Sequence, residues 1–75
     1  MSVLAYVLVR MGRGEKDLVA FLRKLPQVRE AYIVYGEYDV IVKVEAEDMR
    51  ELTKLVLDQI RARFPVERTS TLIVV

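Results

Sequence analysis

The side chains able to do chemistry in this sequence gather in one short stretch, Gly36-Glu37-Tyr38-Asp39, directly ahead of the apolar run Val40-Ile41-Val42. Asp39 places a carboxylate where a turn becomes a strand whose other residues are built for burial. Such a group accepts hydrogen bonds from backbone N–H groups of its own hairpin, or it serves a ligand that the neighbouring Gly36 allows close to the backbone. Catalysis finds less support. The chain has no histidine and no cysteine, so a general base near neutrality would have to be a strongly shifted Asp39, Glu37 or Lys43. No recognisable pair of nucleophile and base exists, and the absence of asparagine argues against acylphosphatase chemistry. The acidic run Glu45-Ala46-Glu47-Asp48 reads as a helix start whose acids meet the positive end of the dipole, not as a metal site. No catalytic residue, metal ligand or cofactor is therefore assigned.

Positioning the 36–39 stretch requires strands on either side of it. Val3 to Met11 is apolar and β-branched and ends at Gly12-Arg13-Gly14, which predicts a first strand. From Glu15 to Leu25, apolar residues fall at Leu18, Phe21, Leu22 and Leu25, one face of a helix that Pro26 stops. Val28 to Tyr35 and Tyr38 to Val44 alternate as strands with only Gly36 and Glu37 between them, which predicts a tight hairpin with Gly36 at positive φ. Ala46 to Phe64 carries Met49, Leu52, Val56, Ile60 and Phe64 on one helical stripe, widened by Leu55 and Leu57. Asp48 is its predicted N-cap, with Glu51 three residues on. Val66 to Val75 closes the chain as a fourth strand. The order βαββαβ predicts a ferredoxin-like α+β fold, residues 1–75 forming one domain with a four-stranded antiparallel sheet and two helices on one face.

A domain of 75 residues buries only about 60% of the surface its unfolded chain exposes. Without cysteine it cannot be stapled by disulfides, which leaves oligomerisation as the usual support. The strands agree. In the first, Val3, Ala5, Val7 and Val9 share one parity and Leu4, Tyr6 and Leu8 the other; in the last, Leu72 and Val74 oppose Ile73 and Val75. Two helices cover only one of these apolar faces, so the other is expected to pack on a second copy with two-fold symmetry. A net charge of +1 gives no general reason to expect nucleic acid. Tyr6 and Tyr32 with Arg10, Arg29 and Lys43 make only a thin version of an RNA-reading sheet. The apolar opening is too short to span a bilayer and lacks a basic leader, so a cytoplasmic protein with no membrane partner is expected. The lack of asparagine, with Gln27 and Gln59 the only glutamines among abundant Glu, Lys and Arg, points to a heat-adapted source.

Taken together, Gly36, Tyr38 and Asp39, the apolar strand after them, the acidic helix start and the Thr69-Ser70-Thr71 strand resemble the effector-binding RAM domain of the Lrp/AsnC family of amino-acid-responsive transcription regulators. The resemblance covers the whole chain. It implies a ferredoxin-like dimer that assembles further to a tetramer or octamer, with a small-molecule site between dimers at the turn joining strands two and three. In such a site Asp39 would accept the ammonium of a free amino acid or related small metabolite, and Gly36, Glu37 and Tyr38 would shape the turn. Thr69 and Thr71 would offer hydroxyls to the carboxylate. Family members that bind DNA carry an N-terminal helix-turn-helix domain, whereas here Met1 and Ser2 lead straight into strand one, so no direct DNA binding is expected. The resulting expectation is a non-catalytic metabolic sensor or transcription modulator. The alternatives are a cofactor-independent enzyme of the dimeric ferredoxin-like type, an ACT-like amino-acid module, and an assembly partner of full-length Lrp/AsnC regulators that binds no ligand.

Overall fold

The alternating apolar runs become four strands, β1 (Val3–Met11), β2 (Val28–Ile33), β3 (Val40–Ala46) and β4 (Val66–Ile73), in a computed structural model that describes residues 2–75. They form one antiparallel sheet in the order β2-β3-β1-β4. Helix α1 (Glu15–Leu22) lies between β1 and β2. Helix α2 (Met49–Lys54) follows β3 and runs directly into a π-helical segment (Leu55–Arg61). The fold is ferredoxin-like, with strand pairing that brings the first and third strands to the centre.

Period two decides which side chains meet the helices. Ala5, Val7, Val9 and Met11 of β1 and Val40, Val42, Val44 and Ala46 of β3 are buried beneath Leu18, Val19 and Leu22 of α1 and Leu52, Leu55, Val56 and Ile60 of the second helix. Phe21 and Phe64 close the helix layer with ring centroids 5.7 Å apart. Asp48 caps α2 as expected: its Oδ1 accepts the Glu51 N–H at 2.9 Å, and Glu51 Oε1 accepts the Glu47 N–H at 3.2 Å. This is a capping box displaced by one residue.

Both helices depart from the sequence expectation at their C-terminal ends. Helix α1 stops at Leu22, and the chain tightens through bonds from Lys24 N to Phe21 O and from Leu25 N to Leu22 O. Arg23, now beyond the helix, swings to the free side of edge strand β2, where Nε and Nη2 donate to Ala31 O at 3.1 and 2.8 Å. The second helix widens because Leu55 and Ile60, five residues apart, both face the core. An i→i+5 turn stacks such a pair where a 3.6-residue turn would splay it, and the bond from Ala62 N to Leu57 O at 2.9 Å has that spacing. Met49 and Leu57, expected on the buried stripe, are 51% and 52% exposed.

The other face of the sheet has no helix over it. The cross-strand register joins Tyr32, Ile41 and Leu8 in one row and Tyr6 with Leu72 in the next. The β2 side of this apolar strip is framed by the ion pairs Lys43 with Glu30 at 3.7 Å and Arg29 with Glu45 at 3.2 Å. Tyr32 donates its hydroxyl to Glu30 at 2.8 Å. That bond, with the negative charge of Glu30, holds the phenol above its ordinary pKa.

Candidate functional site

Residues 34–39 connect β2 to β3, a longer link than the two-residue turn expected from Gly36 and Glu37. The loop is closed by Val34 N donating to Asp39 O at 2.8 Å, so residues 35–38 all belong to the reversal. Tyr35 leaves the strand alternation entirely and is fully exposed. Gly36 takes φ +135°, and no atom lies within 4 Å of where a Cβ would stand. The turn is therefore open, and the penalty for a side chain there is backbone strain alone. Gly36→Ala is expected to cost about 1–3 kcal/mol in urea denaturation without any change in packing.

While its carbonyl closes the hairpin, Asp39 is anchored to β1 through its N–H and its carboxylate. Its N–H donates to Val9 O at 2.8 Å, and its Oδ2 accepts the Met11 N–H at 2.8 Å. The registered pairing of β1 with β3 ends at Val9 and Val40, so β1 runs on past its partner and the Met11 N–H has no strand carbonyl to meet. The carboxylate satisfies it. Only one carboxylate oxygen is used in this way; Oδ1 makes no hydrogen bond among the described residues.

Two arginines that the sequence reading did not place in the site converge on the same loop. Arg10 Nη1 donates to Glu37 O at 2.7 Å, and the Arg68 guanidinium lies over the Tyr38 ring, 5.3 Å from its centroid. Arg10 and Arg68 are direct cross-strand partners, held there by a bulge at Glu67 that shifts the register before Met11 and Val66 pair. Their signal in the sequence is parity: each occupies the row of Tyr6, Leu8 and Leu72 on its strand but interrupts that apolar row with a charge.

Thr69 and Thr71 do not join this group within one protomer. They pair with Val9 and Val7 and so face the helices. Thr69 Oγ1 accepts from Arg61 Nη1 at 3.3 Å. Thr71 borders a cavity of about 180 Å³ with Met49, Leu52, Val56 and Leu57. Glu37 and Tyr38 sit beside Asp39 as expected. Among the described residues no group of three or more His, Cys, Asp or Glu is placed to hold a metal ion, and no helix is long and apolar enough to cross a membrane.

The family described as the Lrp/AsnC ligand binding domain matches residues 4–75. The HTH-type transcriptional regulator FL11 of Pyrococcus horikoshii is 39% identical over 74 residues, covering 97% of this chain and 48% of that protein. The chain thus spans about half the length of the regulators it matches. Its relation to Pyrococcus proteins agrees with the amide-poor composition. The crystal structure of FFRP-DM1 superposes with a TM-score of 0.87 at 38% identity, covering 97% of this chain and 99% of that one. A transcriptional regulator of Neisseria meningitidis, solved as a complex with L-Met, shares the fold with a TM-score of 0.86 at 24% identity over 97% of this chain and 49% of that one. With a family match across nearly its whole length, the chain belongs to the Lrp/AsnC family as a ligand-binding domain.

Proposed function

We propose that the chain binds a free amino acid or a related small metabolite at the 36–39 turn and works, as an oligomer, as a non-catalytic sensor or modulator of transcription. The observation that carries this reading is the state of Asp39. One carboxylate oxygen is fixed by the Met11 N–H, which holds the other at an open loop where an ammonium group can reach it. The names of its relatives, transcription regulators throughout, support a regulatory role over an enzymatic one. Full-length regulators of the family are candidate partners.

Assembly completes the site in this reading. The uncovered strip of Leu4, Tyr6, Leu8, Ile41 and Leu72 pairs with the same strip of a second copy, its charged margin forming the polar rim of such interfaces. Dimers then combine to a tetramer or octamer, and Thr69 and Thr71 reach a bound ligand only from another copy.

Titration calorimetry against each proteinogenic amino acid, with two Asp39 variants, tests the reading. Asp39→Asn keeps a carbonyl oxygen for the Met11 N–H but loses the charge. It is expected to retain most of the stability and to lose about tenfold or more in affinity. Asp39→Ala strands a backbone donor as well, and should lose about 1–3 kcal/mol of stability together with binding. The reading is abandoned if no amino acid gives saturable heat at millimolar concentration, or if Asp39→Asn binds as tightly as the unaltered protein.

A further inference from the structure

We infer that Arg68, assisted by Arg10, is the receptor for the carboxylate of the bound molecule, a role the family resemblance had implied for Thr69 and Thr71. The inference rests on the amino-acid reading of the turn and extends it to the other end of the ligand. Two like charges directly opposite one another on neighbouring strands destabilise a sheet, and Arg10 and Arg68 are such a pair. Neither is properly neutralised by the protein. Arg10 Nε has only Glu67 Oε1 at 3.8 Å, with both side chains well exposed (43% and 60%), an arrangement worth little in water. Arg68 has no carboxylate within ion-pair distance among the described residues.

Both guanidiniums are nevertheless held in place. A cation–π contact with Tyr38 tethers the Arg68 guanidinium, and its N–H groups make no side-chain hydrogen bond among the described residues. The bond to Glu37 O pins Arg10 beside it. A planar fork tethered at a tyrosine, next to a second positive charge, matches a carboxylate at a smaller loss of side-chain freedom than a free arginine would pay. Glu37 and Tyr38, which hold the two arginines, are the residues immediately before Asp39. Acceptor and donors therefore stand at one loop, spaced through adjacent backbone positions. The recognised class is a small molecule carrying both an ammonium and a carboxylate; an amine without the acid engages only Asp39, and an acid without the amine engages only the arginines.

The test is NMR of the full ¹⁵N-labelled chain, following the arginine Nε–H signals and the Gly36 and Asp39 backbone amides. The probes are sodium acetate and, separately, an equimolar mixture of the proteinogenic amino acids. Acetate is expected to shift Arg68 and Arg10 Nε–H alone. The mixture should shift these and the Gly36 and Asp39 amides, saturating at a concentration at least about tenfold lower because both charges are engaged. Arg68→Gln should remove the acetate response. Arg68→Lys, which keeps the charge but not the fork, should weaken amino-acid binding, while a wild-type-like backbone spectrum reports that either variant folds. If amino acids bind Arg68→Gln and Arg10→Gln at full affinity yet fail to bind Asp39→Asn, the carboxylate receptor is overturned and the turn reading stands. If acetate moves Arg68 but no amino acid moves Gly36, the receptor is supported as an anion site and the amino-acid reading fails.

Discussion

Leu8→Lys combined with Leu72→Lys is expected to sediment as a monomer at micromolar concentration, where the unaltered chain is expected to sediment as a dimer or larger species. Both residues lie in the parity row that no helix covers, and Leu72 is 53% exposed in the isolated protomer. Fully burying a leucine contributes about 1.5–3 kcal/mol. Leu8 is already largely buried and Leu72 about half buried in one protomer, so these residues from two protomers supply on the order of 3–5 kcal/mol on association, a substantial part of the roughly 8–12 kcal/mol of a micromolar to nanomolar dimer. Lysines in their place remove that term and place four charges in the interface. The helix-facing row is untouched, so the circular dichroism spectrum should keep its shape. The melting temperature should fall and cease to depend on protein concentration, since the linkage between folding and association is gone. A double variant that still sediments as a dimer would mean that the uncovered face is not where copies meet.

Ile60→Ala is expected to give the largest loss of stability from a single truncation. Ile60 is completely buried and belongs to the π-helical segment, where the widened turn holds it over the sheet. Removing a buried isoleucine side chain costs about 2–5 kcal/mol, depending on how far the surroundings collapse. A chain of 75 residues has roughly 4–11 kcal/mol in total at typical values per residue, so the variant should be largely unfolded at modest urea. Leu57→Ala, in the same segment but half exposed, serves as the comparison and should shift the urea midpoint far less. Equal shifts for the two would contradict the assignment of Ile60 to the core.

The fold was legible because each element announces itself locally. β1 has the bounds that its β-branched run and the flanking glycines predict, and Asp48 caps the helix that its position implies. What escaped was set by distant partners. Either apolar row of β1 could have met the helices, and only the packing of Leu18, Leu22, Leu52 and Ile60 against the Val7 row chooses between them. Gly36 and Glu37 look like a two-residue turn until Asp39 is seen to bond to Val9 and Met11 of β1, some thirty residues earlier in the chain. Period 3.6 and the π spacing bury nearly the same residues between Leu52 and Ile60, so the pattern does not separate them. In the candidate site, Gly36 to Asp39 are contiguous and were found together. Arg10 and Arg68 meet only through strand pairing, and Thr69 and Thr71 are turned toward the helices by that same pairing.

The position of Arg23 has a consequence for how the molecule can aggregate. A four-stranded sheet has two free borders, and a chain free to add neighbours at both can polymerise into a fibre. Here an incoming strand at β2 would first have to displace the guanidinium that occupies Ala31 O through two of its nitrogens. The β2 border is thereby less open to an added strand than the β4 border. For a protein more than half hydrophobic by composition, one arginine thus guards an edge at which uncontrolled strand addition could begin.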